Sequence, residues 1–303
     1  MPAHLHATTK MKYEMIQTHS PEFSVRKMCK VLGLTTTAYY NWAKRSPSRE
    51  KKQKEKEKLA KKVRKVFKAN KEVYGYRKMQ KALERKGIEL SIYKVRRIMQ
   101  ENGMYSVSTE KFKPPRRKNP EGRFCENLVE QRFNPTAPNE VWAGDITYIR
   151  TKIGWVYLSA VMDLHNREII GYAISKSIDT ELVKRSLSNA LTNRNGGGEN
   201  TIFHSDRGIQ YASKTYQKML EENGIKGSMS RSSCPYDNAC LESFFSSAKR
   251  ECILRKEYNT LEEVKRDLFE YIELFYNRRR MHQSLGYMTP VEYRLAWMNN
   301  KVA

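Results

Sequence analysis

The stretch Glu140-Val141-Trp142-Ala143-Gly144-Asp145-Ile146-Thr147-Tyr148-Ile149-Arg150-Thr151-Lys152-Ile153-Gly154-Trp155-Val156-Tyr157-Leu158 decides the fold. Its β-branched and aromatic residues fall in two runs, Glu140 to Thr151 and Trp155 to Leu164, and Lys152-Ile153-Gly154 between them suits a hairpin turn. Ile169 to Ser175 supplies a third strand. Helical periodicity takes over from Asp179 to Arg194, where Leu182, Val183, Leu187, Ala190 and Leu191 share one side. Beyond it, Thr201 to Ser205 reads as a strand, Lys214 to Glu222 as a helix ended by Asn223-Gly224, and Gly227 to Ser230 as a short strand. A strand meander followed by alternating helix and strand gives an α/β fold, a mixed sheet with helices packed on it.

On this reading Asp145 lies on the first strand. Asp206, in His204-Ser205-Asp206-Arg207-Gly208, lies at the C-terminal end of a later one, so the two can meet if those strands are neighbours. Glu242 follows after a gap of 35 residues, on a helix whose core stripe is Leu241, Phe245, Ala248 and Cys252. Asn238, Glu242, Ser246 and Lys249 form a second stripe, roughly 100° round the axis. Three carboxylates brought together repel one another unless cations sit among them. Mg²⁺ (or Mn²⁺) takes such oxygen ligands, and two ions about 4 Å apart can activate an attacking oxygen and stabilise a leaving one. The expectation is therefore two divalent ions per active site, held by Asp145, Asp206 and Glu242. Asp163, Asp179, Asp237 and Glu251 are competing acids, of which Asp163 reads as the anchor of the turn into the third strand.

Working outward, the charge is unevenly spread. The 303 residues carry a net +24; residues 1–120 hold 32 Lys and Arg against 10 Asp and Glu, whereas residues 121–303 hold 25 against 23. A cationic front joined to a near-neutral rear reads as a polyanion-binding module ahead of a globular domain. The front also has the right helices. Ser24 caps a short helix with Val25, Met28, Cys29 and Leu32 on one face, Gly33 permits the turn, and Thr35 or Thr36 caps a second helix carrying Ala38, Tyr39 and Trp42. That is a helix-turn-helix layout, with Thr36 and Tyr39 as candidate DNA contacts. Residues 49–68 are lysine-rich, either an exposed helix or a linker. Tyr74-Gly75-Tyr76-Arg77 opens a second helical pair. Met79, Ala82 and Leu83 face inward, Gly87 stops the first helix, and Ser91 caps another with Val95, Ile98 and Met99 inward and Lys94, Arg96 and Arg97 outward. Arg77 and the outward cations are candidate DNA contacts, or else face solvent in a basic bundle. The stretch Lys111-Phe-Lys-Pro-Pro-Arg116-Arg117-Lys-Asn119 cannot be helical and reads as an extended linker laid along DNA.

Together these motifs resemble the DDE transposases of the bacterial insertion-sequence family numbered three, in their second-frame (OrfB) product, within the retroviral integrase superfamily. The resemblance is carried by Val141-Trp142-x-x-Asp145-Ile146-Thr147-Tyr148, His204-Ser205-Asp206-Arg207-Gly208-x-Gln210-Tyr211, Asp237-Asn238-x-x-x-Glu242-Ser243-Phe244-Phe245-x-x-x-Lys249, and Tyr276-Asn277-x-Arg279-Arg280-x-His282-x-Ser284-Leu285-Gly286-Tyr287-x-Thr289-Pro290. It spans roughly residues 20–295. Gly144 departs from it, standing where a threonine is frequent. The resemblance implies an RNase H-like catalytic domain preceded by helix-turn-helix modules. It implies metal-dependent DNA cleavage, then attack of an element 3′-hydroxyl on target DNA without a covalent protein intermediate. It also places Lys249 near the scissile phosphate. Arg207 and Asn238 are further candidate DNA contacts. Arg278, Arg279, Arg280 and His282 either touch DNA or face solvent and cap the end of the helix from Leu261 to Arg280.

The expected division is a helix-turn-helix in 1–48, a basic helix and second helix-turn-helix in 49–110, a linker in 111–137, and the catalytic domain with its C-terminal helix in 138–298. Partners follow: duplex DNA as terminal inverted repeats and target, a second or further copy of the chain to hold two ends, and an upstream-frame product in fusion or separately. A DNA-binding regulator without activity and a nuclease without joining are the rival functions; the presence of all three acids opposes the first. His4, His6, His19 and Cys29 do not match the zinc spacing of retroviral integrases. The five cysteines are scattered and odd in number, so neither a disulfide framework nor a four-cysteine zinc site is expected. No apolar run approaches the roughly 20 residues of a membrane span, and a bacterial cytoplasmic setting, on the nucleoid DNA, is the expectation.

Overall fold

The computed structural model describes residues 8–107, 125–129, 134–194, 200–230 and 238–302. The chain divides into two compact units, Met1–Lys65 and Val66–Ala303.

In the first unit, α1 (Thr9–His19) precedes α2 (Val25–Val31) and the start of α3 (Thr36–Ala69). Gly33 takes φ 67° at the turn, and the Thr35 hydroxyl accepts from the Ala38 N–H at 3.3 Å to cap α3. Ile16, Cys29 and Tyr39 form the core, with Tyr13, Met28 and Trp42 packed on it. This corrects one expectation. Tyr39 is only 5% exposed and stacks on Trp42, so its ring closes the core instead of facing a base edge; Tyr40 is the outward tyrosine. The lysine-rich run is helical throughout, with Lys51, Lys52, Lys54, Lys56 and Lys58 all exposed. α3 continues unbroken through it for 34 residues.

The second unit begins with α4 (Tyr76–Glu84) and α5 (Ile92–Glu101), whose inward residues Met79, Ala82, Leu83, Val95, Ile98 and Met99 are all buried. Gly87 adopts φ 70° after α4, and the Ser91 hydroxyl accepts from the Lys94 N–H to cap α5. Next come β1 (Val141–Thr151), β2 (Gly154–Asp163), β3 (Glu168–Ser175), α6 (Thr180–Asn193), β4 (Ile202–Ser205), α7 (Lys214–Glu222) and β5 (Lys226–Met229). The sheet order is β3-β2-β1-β4-β5. β1, β2 and β3 pair antiparallel, while β4 pairs parallel with both β1 and β5.

α6 and α7 cover one face through a core that includes Trp142, Ile146, Leu187, Phe203, Tyr211 and Tyr216. α6 seats so closely on β3 that a Cβ at Gly171 would lie 2.4 Å from the Ser186 carbonyl oxygen. α8 (Ala239–Glu251) lies against β1. Its buried Leu241, Phe244, Phe245 and Ala248 take no part in the α6/α7 core.

The expected single helix from Leu261 to Arg280 is instead α9 (Leu261–Phe269) followed by a π-helical segment, Glu270–Tyr276. The wider turn lets the adjacent pairs Tyr271, Ile272 and Phe275, Tyr276 all face inward. It ends where the Asn277 amide accepts from the Ile169 N–H and donates to the Ile169 carbonyl on β3 (3.0 and 2.9 Å). α10 (Pro290–Val302) closes the chain. Thr289 and Glu292 cap it reciprocally, the Thr289 hydroxyl accepting from Glu292 N–H and the Glu292 carboxylate accepting from Thr289 N–H.

Candidate active site

The parallel register of β1 and β4 sets Gly144 opposite Ser205. One step further along each chain stand Asp145 and Asp206, on neighbouring strands about 4.8 Å apart. Alternation turns Asp145 away from the face on which the Gly144 Cβ position is filled by Phe203 and Tyr211. Asp145 is 5% exposed and accepts from the Ile146 N–H at 2.7 Å. Asp206 is half-buried, and its Oδ1 accepts from the Gly208 N–H at 3.0 Å. A Cβ at Gly208 would approach that same oxygen to 2.9 Å, so a side chain there would press on the Asp206 carboxylate.

Burial first, then Tyr216, then Asp145 and Asp206 push the Tyr211 hydroxyl well above its usual range. Tyr211 is 2% exposed and packs beneath the strand ends against Phe203 and Tyr216. Tyr211 belongs to the Asp206 motif, but its burial against Phe203 and Tyr216 has no separate sequence signal.

Glu242 arrives on α8. Asn238, the residue before that helix, donates from Nδ2 to the Gly144 carbonyl at 3.2 Å and so fastens α8 beside Asp145. Glu242 is one turn further on the same helical face and is exposed. The carboxylate oxygens make a hard donor set that suits a divalent ion. Among the described residues, no three His, Cys, Asp or Glu side chains stand close enough together to hold one. Asp145, inside β1, and Asp206, just after β4, are the part of the expected ligand set that the β1–β4 pairing sets side by side, and α8, which carries Glu242, lies against β1.

Several expected DNA contacts prove to be framework. Asn238 is 6% exposed and occupied with Gly144, so it positions α8 and does not present itself to a ligand on the surface. Arg207 is half-buried, its Nε donating to the Ser230 carbonyl at 2.8 Å, which ties the end of β4 to the residue after β5. His204, in the same motif, is 1% exposed with its two ring nitrogens on Ser228 and Ser230. Arg280 forms a buried fork with Glu251, which takes Arg280 from the candidate DNA contacts and Glu251 from the competing acids. Arg279 is exposed, and Lys249 is half-buried seven residues beyond Glu242. Arg77, Lys94, Arg96 and Arg97 are exposed on α4 and α5, where the Arg77 and Arg96 guanidinium groups lie 5.8 and 5.7 Å from the centre of the Tyr76 ring. Thr36 is half-buried at the start of α3. Arg116, Arg117 and Asp237 lie outside the described residues. The competing acids are also spoken for: Asp163 accepts from the Asn139 and His165 N–H groups in the turn after β2, and Asp179 caps α6 through the Leu182 N–H.

The sequence matches the Integrase core domain family over residues 135–235 and again, through a second such family, over 242–297; between them the matches contain all three acids. Residues 54–112 match the HTH-like domain family. Transposase InsF for insertion sequence IS3A of Escherichia coli (strain K12) is 37% identical over 283 residues, covering 93% of this chain and 98% of that protein. The chain belongs to the IS3 family of insertion-sequence transposases. The insertion element IS600 uncharacterized 31 kDa protein of Shigella sonnei is likewise 37% identical, over 88% of this transposase. The structure of the HTLV-2 integrase catalytic core domain in complex with magnesium resembles it over 53% of its length, with 16% identity and a TM-score of 0.42. The transposase thus has an HTH-like domain ahead of an integrase-type, mixed-sheet catalytic core, as the strand pattern and motif order anticipate. No helix among its described residues is long and apolar enough to cross a membrane.

Proposed function

We propose that Asp145, Asp206 and Glu242 are the catalytic acids of this transposase, binding two Mg²⁺ or Mn²⁺ ions to cut DNA at the element ends and join those ends to a target. The observation that carries the reading is the β1–β4 register, which sets Asp145, inside β1, beside Asp206, the residue that follows β4, with the Glu242 helix fastened to β1 through Asn238 and the Gly144 carbonyl. Asp145 and Asp206 supply the fixed side of the site, and Glu242, exposed on α8, closes it when DNA is engaged. The ions would supply the Lewis acidity that activates an attacking oxygen and stabilises the leaving one. The chain supplies the rest: Tyr211, Gly208 and Asn238 orient the acids, and Lys249 holds the phosphate backbone beside Glu242.

DNA reaches this site along the basic face of α4 and α5, where Arg77, Lys94, Arg96 and Arg97 contact phosphates and base edges. The unit around Thr36, the basic residues Arg116 and Arg117, and Arg279 add further contacts. The modules act as 1–48, 49–110 and 138–298, with 111–137 as the connecting segment. Two element ends must be held at once, so the working form is a dimer or larger multimer, with or without an upstream-frame product, on DNA in the bacterial cytoplasm.

The test is purified protein with Mg²⁺ or Mn²⁺ and a duplex carrying the terminal repeat of the element that encodes it. Joined products are expected. Nicks without any joined product would assign the protein as a nuclease instead.

A further inference from the structure

We infer that Tyr74 and Arg280 are positioning residues that link the α4/α5 unit to the catalytic helix, so that DNA seated on α4 and α5 sets the placement of Glu242. The inference rests on the reading of Glu242 as a catalytic acid. Tyr74 lies just before α4 and is 0% exposed. Its hydroxyl donates to the Arg279 carbonyl at 2.7 Å and accepts from the Met281 N–H at 2.9 Å. The phenol therefore grips the backbone on either side of Arg280, more than 200 residues away in sequence.

Arg280 continues the connection. Its Nε and Nη2 reach the two carboxylate oxygens of Glu251 at 2.9 and 2.7 Å, and Nη2 also donates to the Ser247 hydroxyl at 3.2 Å. The Tyr271 hydroxyl, on the π-helical segment, fixes Glu251 Oε2 at 2.8 Å. Glu251 and Ser247 belong to α8, the helix that carries Glu242. A continuous set of direct hydrogen bonds thus runs from the start of α4, through residues 279–281, to the inward face of α8.

The chemistry favours positioning over bulk packing. A bidentate guanidinium–carboxylate pair fixes both distance and plane, which a lysine or an apolar residue does not. The Tyr74 ring would fill its site equally well as phenylalanine; only the hydroxyl ties the two backbone groups. Other contacts secure the same unit. At the far end of α4, Arg85 forks onto Glu292 of α10 and donates to the Tyr287 carbonyl; on the Tyr74 side, Arg255, just beyond α8, donates to the Lys71 carbonyl. A displacement of α4 on DNA has in Tyr74 a direct route to α8.

The experiment is hydrogen–deuterium exchange on the full chain with and without terminal-repeat duplex, for wild type, Y74F and R280K. In wild type, DNA should slow exchange in residues 76–101 and also in 239–251. In Y74F and R280K the slowing at 76–101 should persist while that at 239–251 is lost. The cleavage rate at saturating DNA should fall about tenfold, the ratio that about 1.4 kcal/mol of lost positioning corresponds to, with end-binding affinity unchanged. Equal DNA-induced protection of 239–251 in wild type and Y74F would overturn the link, as would a loss of end binding that matches the loss of rate. E242Q serves as the separate control. Cleavage retained by E242Q would strike the reading of the acid and leave the exchange result standing.

Discussion

Gly144 offers the most quantitative test of how the core aligns the two aspartates. A Cβ at this position would lie 2.4 Å from Phe203 Cζ and 2.8 Å from Phe203 Cε1. Carbon atoms rest about 3.5–4.0 Å apart, so Gly144→Ala requires the ring to withdraw by about 1 Å. Phe203 has little room to do so, being 1% exposed and packed against Tyr211 and Tyr216. The strain passes instead into the β1–β4 pair, one residue from Asp145 and Asp206. Overpacking of this kind costs about 1–3 kcal/mol, and the bulkier Gly144→Thr should cost more. A misplacement of about 1 Å at reacting groups can lower rates on the order of 100-fold. The assay is a double-mutant cycle of G144A and F203L, read by urea unfolding and by cleavage rate. Removing the ring's outer atoms should relieve the clash, giving a favourable coupling of about 1–2 kcal/mol and partial recovery of rate. Additivity within about 0.5 kcal/mol would refute the argument that Phe203 occupies the space of the missing side chain.

Three further outcomes follow from the packing and electrostatics. Gly171→Ala should destabilise by about 3 kcal/mol or more, because the added carbon meets backbone atoms of Ser186 and Ala190 that cannot rotate aside; thermal unfolding of the variant beside G144A checks the ranking. Arg280→Met should cost about 3–5 kcal/mol by leaving Glu251 buried without its cation, and E251Q/R280M should recover part of that loss in the same urea assay. Burial, and then the charge of Arg280, lower the Lys78 ammonium to about 8 from 10.5. As pH rises from about 8 towards 10.5 the unfolded chain holds a proton that the folded chain has released, so this group's contribution to stability increases with pH. K78M should flatten that rise in melting temperature measured against pH.

The parts legible in the sequence are those set by local pattern. Alternating β-branched and aromatic residues placed β1, β2 and β3, and the caps at Asp179 and Ser91 fixed where α6 and α5 begin. The elements that carry the three acids were legible too: a strand that stops just before Asp206 and a helix over Glu242 marked by its core stripe. What remained hidden depends on partners distant in sequence. α1 buries only Ile16 while Met11 and Met15 stay exposed, so its periodicity is weak. The π-helical segment ends on the Asn277–Ile169 bonds, 108 residues apart. Nothing in the run Tyr39-Tyr40 says which ring turns inward, and nothing local to Arg280 distinguishes a DNA contact from the partner of Glu251.

The most direct measurement of the central claim is single-turnover cleavage of terminal-repeat DNA by Asp206→Asn at a protein concentration where end binding equals that of wild type. The substitution keeps the size and the hydrogen bond from Gly208 but removes the charge. We predict undamaged end binding and a loss of cleavage and joining on the order of 1,000-fold or more, as expected when a charge-stabilising group is taken from a reacting centre. Cleavage within about tenfold of wild type would contradict the assignment of Asp145, Asp206 and Glu242 as one site.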